Sequence, residues 1–231
     1  MDHMPEHPTS QPESAPTAVG GSTPPAFVVG FDLDMTLIDS RPGIGAAYEA
    51  LVEETGARID IDLVISRLGP PLEEELINWF PADRVPGIAD RYRELYPQYA
   101  IEPTRALDGA RESIAAIRAA GGKAVVVTAK YQPNAELHLA HLGIEPDAII
   151  GSLWAEAKGE ALREHGASVY VGDHTGDVRG ARTAGALSVG VTTGPCDAEE
   201  LRAAGADVIL GDLTEFPAWL DAHRAGAAPA L

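Results

Sequence analysis

Cysteine is nearly missing from this 231-residue chain. Cys196 stands alone, so no disulfide can close within the chain, and a reducing compartment is expected. The residue reads as an incidental loop thiol, since no His-rich partner motif accompanies it. Long apolar runs are missing too: no stretch reaches the roughly 18 apolar residues of a membrane span. Positive charge is scarce, with 17 Lys and Arg against 35 Asp and Glu and a formal net charge of −18. So acidic a balance disfavours nucleic acid and anionic membranes as partners, because both are bound through basic patches. It leaves room for a small anionic ligand, which needs only local positive charge. Residues 1–25 hold no Lys or Arg and no apolar segment, and so neither part of a secretory signal. Rich in Pro, Ser and Thr, they are expected to form a disordered tail, and the chain is expected to be cytoplasmic.

What is present is an ordinary globular composition, 45% hydrophobic and 23% charged. Short β-branched runs, apolar at nearly every position, occur at 27–31, 124–128, 147–150, 168–171, 187–191 and 207–210. Such runs suit parallel strands buried on both faces. Helical patterns lie between them at 111–120, 133–142, 155–165 and 214–224, several stopping at glycine. Asp197 followed by Glu200 reads as a capped helix start. Strands alternating with helices predict an α/β fold, a three-layer doubly wound parallel sheet. Residues 41–105 break the rhythm. They contain no lysine and no valine-rich run, and read as helices at 44–55, 61–67, 72–80 and 85–99. The expected organisation is an α/β core of residues 26–40 and 106–231 with a helical cap of residues 41–105 inserted after the first strand. No internal repeat is found.

Asp32-Leu33-Asp34-Met35-Thr36 follows the first apolar run. Two carboxylates crowded at a strand exit repel unless a cation or a shared proton relieves them. A hard divalent cation does so with oxygen ligands, and it also neutralises phosphate. Thr128 ends the second core run, within Val127-Thr128-Ala129-Lys130, and Gly172-Asp173-His174-Thr175-Gly176-Asp177 ends another. In a parallel sheet such positions share one edge, where ligands bind. Four carboxylates, a hydroxyl and a nearby lysine are thus expected to converge. Asp177 could also cap the helix that follows. His174 reads as a loop residue, and His138 and His141, three apart on one helix, lack the partners of a metal site.

In order and spacing, Asp32, Asp34 and Thr36, then Thr128, then Lys158, then Gly172, Asp173 and Asp177 make the chain similar to phosphatases of the haloacid dehalogenase superfamily with a helical cap inserted after the first strand. The resemblance covers about residues 27–212 and includes the segment 181–194. Within the family the chain resembles phosphoglycolate phosphatases, through Arg67-Leu68-Gly69-Pro70-Pro71-Leu72 and the segment 91–96. The resemblance implies a Mg²⁺-dependent phosphomonoester hydrolase acting on a small-molecule phosphate ester, as a monomer or homodimer. It implies Asp32 as the nucleophile that becomes an aspartyl-phosphate and Asp34 as the general acid and base. Phosphate binding would fall to Thr128, Ala129 and Lys158, with Lys130 the competing lysine. The metal would be held by Asp32, Asp173, Asp177 and the backbone carbonyl of Asp34. Arg67 is the cap residue expected to meet substrate. Met35, Ala129 and His174 depart from the commonest family residues, but no reacting group is lost.

Asp34 argues against a dehalogenase, which needs no acid for a halide. A cap without lysine argues against a phosphonatase, which forms a Schiff base there. A sugar phosphomutase shares every core motif and stays open. A receiver-like phosphoacceptor domain would also combine aspartates, Thr and Lys, but the inserted cap and the 172–177 motif argue against it, and nothing favours a non-catalytic binding relative, since every reacting group is present.

Overall fold

The structure, a computed structural model, describes residues 27–226. The tail expected over residues 1–25 lies outside the described residues.

Six strands form one parallel sheet: β1 (Val28–Phe31), β4 (Lys123–Val127), β5 (Ala148–Ile150), β6 (Ala167–Gly172), β7 (Leu187–Val191) and β8 (Val208–Leu210), in the order β5-β4-β1-β6-β7-β8. Every pairing in it is parallel. The chain builds outward from β1 to β4 and β5, then returns to lay β6 on the other side of β1. That reversal opens a crevice at the carboxyl ends of β1, β4 and β6.

Strand periodicity divides the apolar side chains between two faces. Val29, Phe31, Val126, Val169 and Val171 join one buried cluster. It is covered by Ile114 and Ile117 of α5 (Ala110–Ala119), Leu139 of α6 (Gln132–Leu142), and Phe216 and Leu220 of α10 (Phe216–Arg224). Val28, Val125, Val127 and Tyr170 face the opposite way, against Leu162 of α7 (Lys158–Glu164) and Ala181 of α8 (Thr175–Ala184). This is the expected α/β three-layer arrangement. The helix expected over 155–165 is split, a 3-10 turn at Ala155–Ala157 preceding α7. At α9 (Ala198–Ala204) the Asp197 carboxylate accepts from the amides of Glu199 and Glu200, as its spacing predicts.

Between residues 41 and 99 the chain forms four helices: α1 (Arg41–Thr55), α2 (Ile61–Ser66), α3 (Leu72–Leu76) and α4 (Val85–Tyr99). They enclose a buried cluster of their own, including Tyr48, Leu51, Leu76, Tyr92 and Tyr96. α3 is shorter than its pattern predicts, the chain turning at 77–80. Two strands escaped the sequence reading: β2 (Ile38–Asp39) pairs antiparallel with β3 (Arg105–Ala106), so both connections to the helical insert run side by side. At two residues each, neither carries a readable period.

Candidate active site

Asp32 leaves β1 with its amide donating to the carbonyl of Val171, 2.8 Å away, which ties it to β6. The next residues turn tightly: the Met35 amide donates to Ile38 (2.8 Å) and the Leu37 amide to Leu33 (2.9 Å). Met35 adopts a left-handed φ of 59°. A side chain there costs about 1–2 kcal/mol, which is why glycine suits such a position. The turn is fastened twice to the core. Thr36 Oγ1 donates to Asp173 Oδ1 (2.8 Å), and Thr193 Oγ1 donates to the Met35 carbonyl (2.6 Å).

Asp173 and Asp177 arrive from the end of β6 and the first turn of α8. Oxygens of Asp32, Asp173 and Asp177, all buried, lie within 4.8 Å of one another. Two glycines make room for them. A Cβ on Gly194 would sit 1.8 Å from Asp173 Oδ2, and one on Gly172 would sit 2.4 Å from Asp177 Oδ2. Asp177 also caps α8, its Oδ2 accepting from the His174 amide at 3.1 Å. In Asp177 the helix cap and a place in the carboxylate cluster are therefore compatible. His174 is a second cap: its Nδ1 accepts from the Gly176 amide (3.0 Å), and its ring packs against Trp154.

Lys158 is the counter-charge to this cluster. Its position on a polar helix suggests a surface lysine, yet it is wholly buried. Its Nζ lies 3.0 Å from Asp32 Oδ1 and 2.6 Å from Asp177 Oδ1. One ammonium does not balance three carboxylates. Burial, opposed by Lys158 but reinforced by Asp177 and Asp34, raises the Asp32 pKa to about 6. Burial with the charges of Asp177 and Asp32 pushes Asp173 well above the usual carboxylate range. A buried set of hard oxygen donors short of positive charge fits a hard divalent cation.

Asp34 lies apart from that cluster. Its carboxylate turns to Lys130, whose Nζ is 2.7 Å from Oδ1. Burial works to raise the Asp34 carboxyl, but Lys130 outweighs it and holds the group below its ordinary value. Lys130 also lies over the Tyr96 ring, 4.8 Å from its centroid. The Tyr96 hydroxyl meets His138 Nε2 at 3.0 Å. His138 is completely buried, and burial lowers its pKa to about 3, so it stands as a neutral ring. The sequence places Lys130 one residue past Ala129, but nothing in it marks Lys130 as the partner of Asp34.

A cavity of about 340 Å³ opens between core and insert. Asp32, Asp34, Thr128, Ala129 and Lys130 floor it, and Arg67 stands in its opposite wall. Thr128 is nearly sealed from solvent, its amide donating to the Ile150 carbonyl (2.9 Å). Arg67 is paired with Glu75, Nη2 to Oε1 at 2.5 Å. The structure thus brings together Asp32, Asp173, Asp177 and Lys158; of these Asp32 lines the cavity, around which Thr128, Ala129, Asp34 and Arg67 also stand. Such a floor can bind a phosphoryl group beside a carboxylate nucleophile, with a second carboxylate within the same cavity.

Among known families, the haloacid dehalogenase-like hydrolases match residues 29–191. The phosphoglycolate phosphatase of Caulobacter vibrioides is 26% identical over 218 residues, 82% of this chain and 88% of that protein. The tyrosine-protein kinase PtkA of Mycobacterium tuberculosis is 30% identical over 184 residues; these are 74% of this chain but 63% of the kinase. A haloacid dehalogenase-like family hydrolase from Streptococcus pneumoniae superimposes with a TM-score of 0.74 at 24% identity, covering 84% of this chain and 98% of that one. The last likeness shows the fold alone.

Proposed function

The chain belongs to the haloacid dehalogenase-like hydrolase family and is a phosphatase, and on that premise we propose that it is a Mg²⁺-dependent phosphomonoester hydrolase, similar to phosphoglycolate phosphatases, working through an aspartyl-phosphate. The observation that supports this most is the placement of Asp32 beside Lys158, with Thr128 and Asp34 on the same cavity floor. Asp32, Asp173 and Asp177 would hold Mg²⁺, together with the Asp34 carbonyl. When bound, the ion supplies positive charge against the phosphoryl oxygens.

The chain's own groups account for the rest. Lys158 draws negative charge away from Asp32, so that its carboxylate can approach a phosphate dianion. Thr128 Oγ1 and the backbone that follows it orient the phosphoryl group. An Asp32 oxygen bonds to phosphorus as the ester P–O bond breaks, and the departing alkoxide takes a proton from Asp34. Water then attacks the same phosphorus, losing its proton to Asp34. The acyl-phosphate P–O bond breaks, releasing inorganic phosphate and restoring the Asp32 carboxylate. Asp34 must therefore carry a proton in the first step and lack one in the second. The helical insert would act as a cap that limits water in the first step.

The test is phosphate release from a panel of phosphomonoesters, including activated aryl phosphates, with Mg²⁺ and with a chelator. Release that needs Mg²⁺ is expected. No release from any ester would sink the reading, and conversion of a sugar phosphate without net phosphate would turn it to a mutase.

A further inference from the structure

Each basic side chain lining the cavity already has a carboxylate partner. Arg67 is held by Glu75 at 2.5 Å, Arg93 by Glu73 at 2.6 Å, and Lys130 by Asp34 at 2.7 Å. Glu73 and Glu75 themselves line the cavity. Glu75 is also gripped from behind, its Oε1 accepting from Trp79 Nε1 at 2.7 Å. It cannot follow Arg67 or leave it without giving up a second hydrogen bond. Part-exposed ion pairs of this kind contribute little to stability. Their effect on charge balance does not depend on that strength. A substrate carboxylate entering here would meet two neutralised arginines and two carboxylates, and like charges brought together oppose binding.

Most of the remaining wall is apolar and aromatic, with Asn134 and Ser152 the polar exceptions. Ile44, Val64, Leu72, Tyr48, Tyr92 and Tyr96 surround the space beyond the phosphoryl end. Tyr48 and Tyr92 pack ring to ring at 4.8 Å. Burial pushes both phenols upward, so they stay uncharged. Walls of this kind receive a flat or branched apolar group.

Resting on the hydrolase reading above, we propose that the site selects phosphate esters of uncharged, aromatic or apolar alcohols. Glu73 and Glu75 are its specificity-determining residues, turning away esters whose alcohol carries a carboxylate. Glycolate is such an alcohol, so this chain differs in substrate from the phosphoglycolate phosphatases it resembles.

Two nonhydrolysable phosphonates with the same two-carbon spacer, phenethylphosphonate and phosphonopropionate, test the proposal without turnover. Calorimetric titration into the full chain with Mg²⁺ is expected to show the phenyl compound binding about tenfold tighter or more. The double variant Glu73→Gln, Glu75→Gln is expected to improve phosphonopropionate binding by about tenfold and leave the phenyl compound nearly unchanged. Equal affinities, tighter binding of the carboxylate, no binding of either compound, or a double variant that weakens both alike would each overturn it. The hydrolase reading fails on a different result. If the phosphonates discriminate as expected but phenethyl phosphate and phosphoglycolate both go unhydrolysed, the selectivity stands and the hydrolase reading falls.

Discussion

Lys130 Nζ lies 2.7 Å from Oδ1 of Asp34, with the lysine side chain almost closed to solvent. The pair holds Asp34 in its ionised form, the form that the proposed mechanism needs to take a proton from water. Removing the lysine by Lys130→Met takes away the main opposition to burial, so the Asp34 carboxyl rises. The acid limb of the pH–kcat profile is expected to move to higher pH. The sign for stability follows from the same pair. A carboxyl held low in the folded state stabilises above its unfolded pKa, and that contribution is lost as pH falls through the folded value. The variant should lose about 1–3 kcal/mol near neutrality and lose less on acidification. Urea melts across pH measure this; an unchanged profile would show that Lys130 does not set the state of Asp34.

The crowded carboxylates predict a pH-dependent response to metal. Asp32 is raised to about 6, chiefly by burial. A carboxyl raised on folding stabilises fully below its ordinary value of 3.8, and that contribution disappears as pH rises through about 6. The metal-free protein is therefore penalised above that range, where Mg²⁺ relieves most. The gain in Tm on adding Mg²⁺ should be larger at about pH 7.5 than at about pH 5. An equal gain at both would contradict the assignment of Asp32 to the metal.

Asp32→Asn keeps the size of the side chain and removes one crowded charge. Phosphate release should fall by about 10³-fold or more. The metal-free Tm should match or exceed that of the unaltered protein, since Lys158 keeps Asp177 as a partner. Activity that persists would rule out Asp32 as the nucleophile.

Lys158→Met fills a similar volume but strands Asp32 and Asp177 without their ammonium. Breaking a buried pair in this way should cost about 3–5 kcal/mol in chemical denaturation. Added Mg²⁺ should recover part of the loss. A cost below about 1 kcal/mol would mean that the lysine is not what holds the cluster together.

At Met35 two effects oppose each other. The residue is buried, so truncation loses packing, yet its φ of 59° penalises any side chain. Met35→Ala loses the packing and keeps the strain, whereas Met35→Gly loses both. The glycine variant should therefore be more stable than the alanine variant by about 1 kcal/mol, the reverse of their order in a helix. Paired denaturation curves decide it.

The sheet was legible because its inner strands are buried on both faces, so Val125-Val126-Val127 and Val169-Tyr170-Val171 show as unbroken apolar runs. The positions of Asp32, Thr128 and Asp173 followed from strand ends. What stayed hidden depends on side chains meeting across the fold. Lys158 is named by the order of the motifs, but its burial is not legible, because that comes from the packing of α7 against α8. The Lys130–Asp34 pair joins residues 96 positions apart. The neutralising roles of Glu73 and Glu75 need the arginines' positions, which no periodicity encodes.

The ribbon of β2 and β3 brings Asp39 opposite Arg105 in antiparallel register. Facing residues in such a ladder have Cα atoms about 4.5–5.5 Å apart, a gap that a two-residue hairpin closes. Everything between them can thus be exchanged, lengthened or shortened while the six-stranded sheet keeps its alignment and Asp32 its place. The two short strands make a splice point: lineages sharing this reaction could acquire new substrates by trading the insert whole, leaving the catalytic floor untouched.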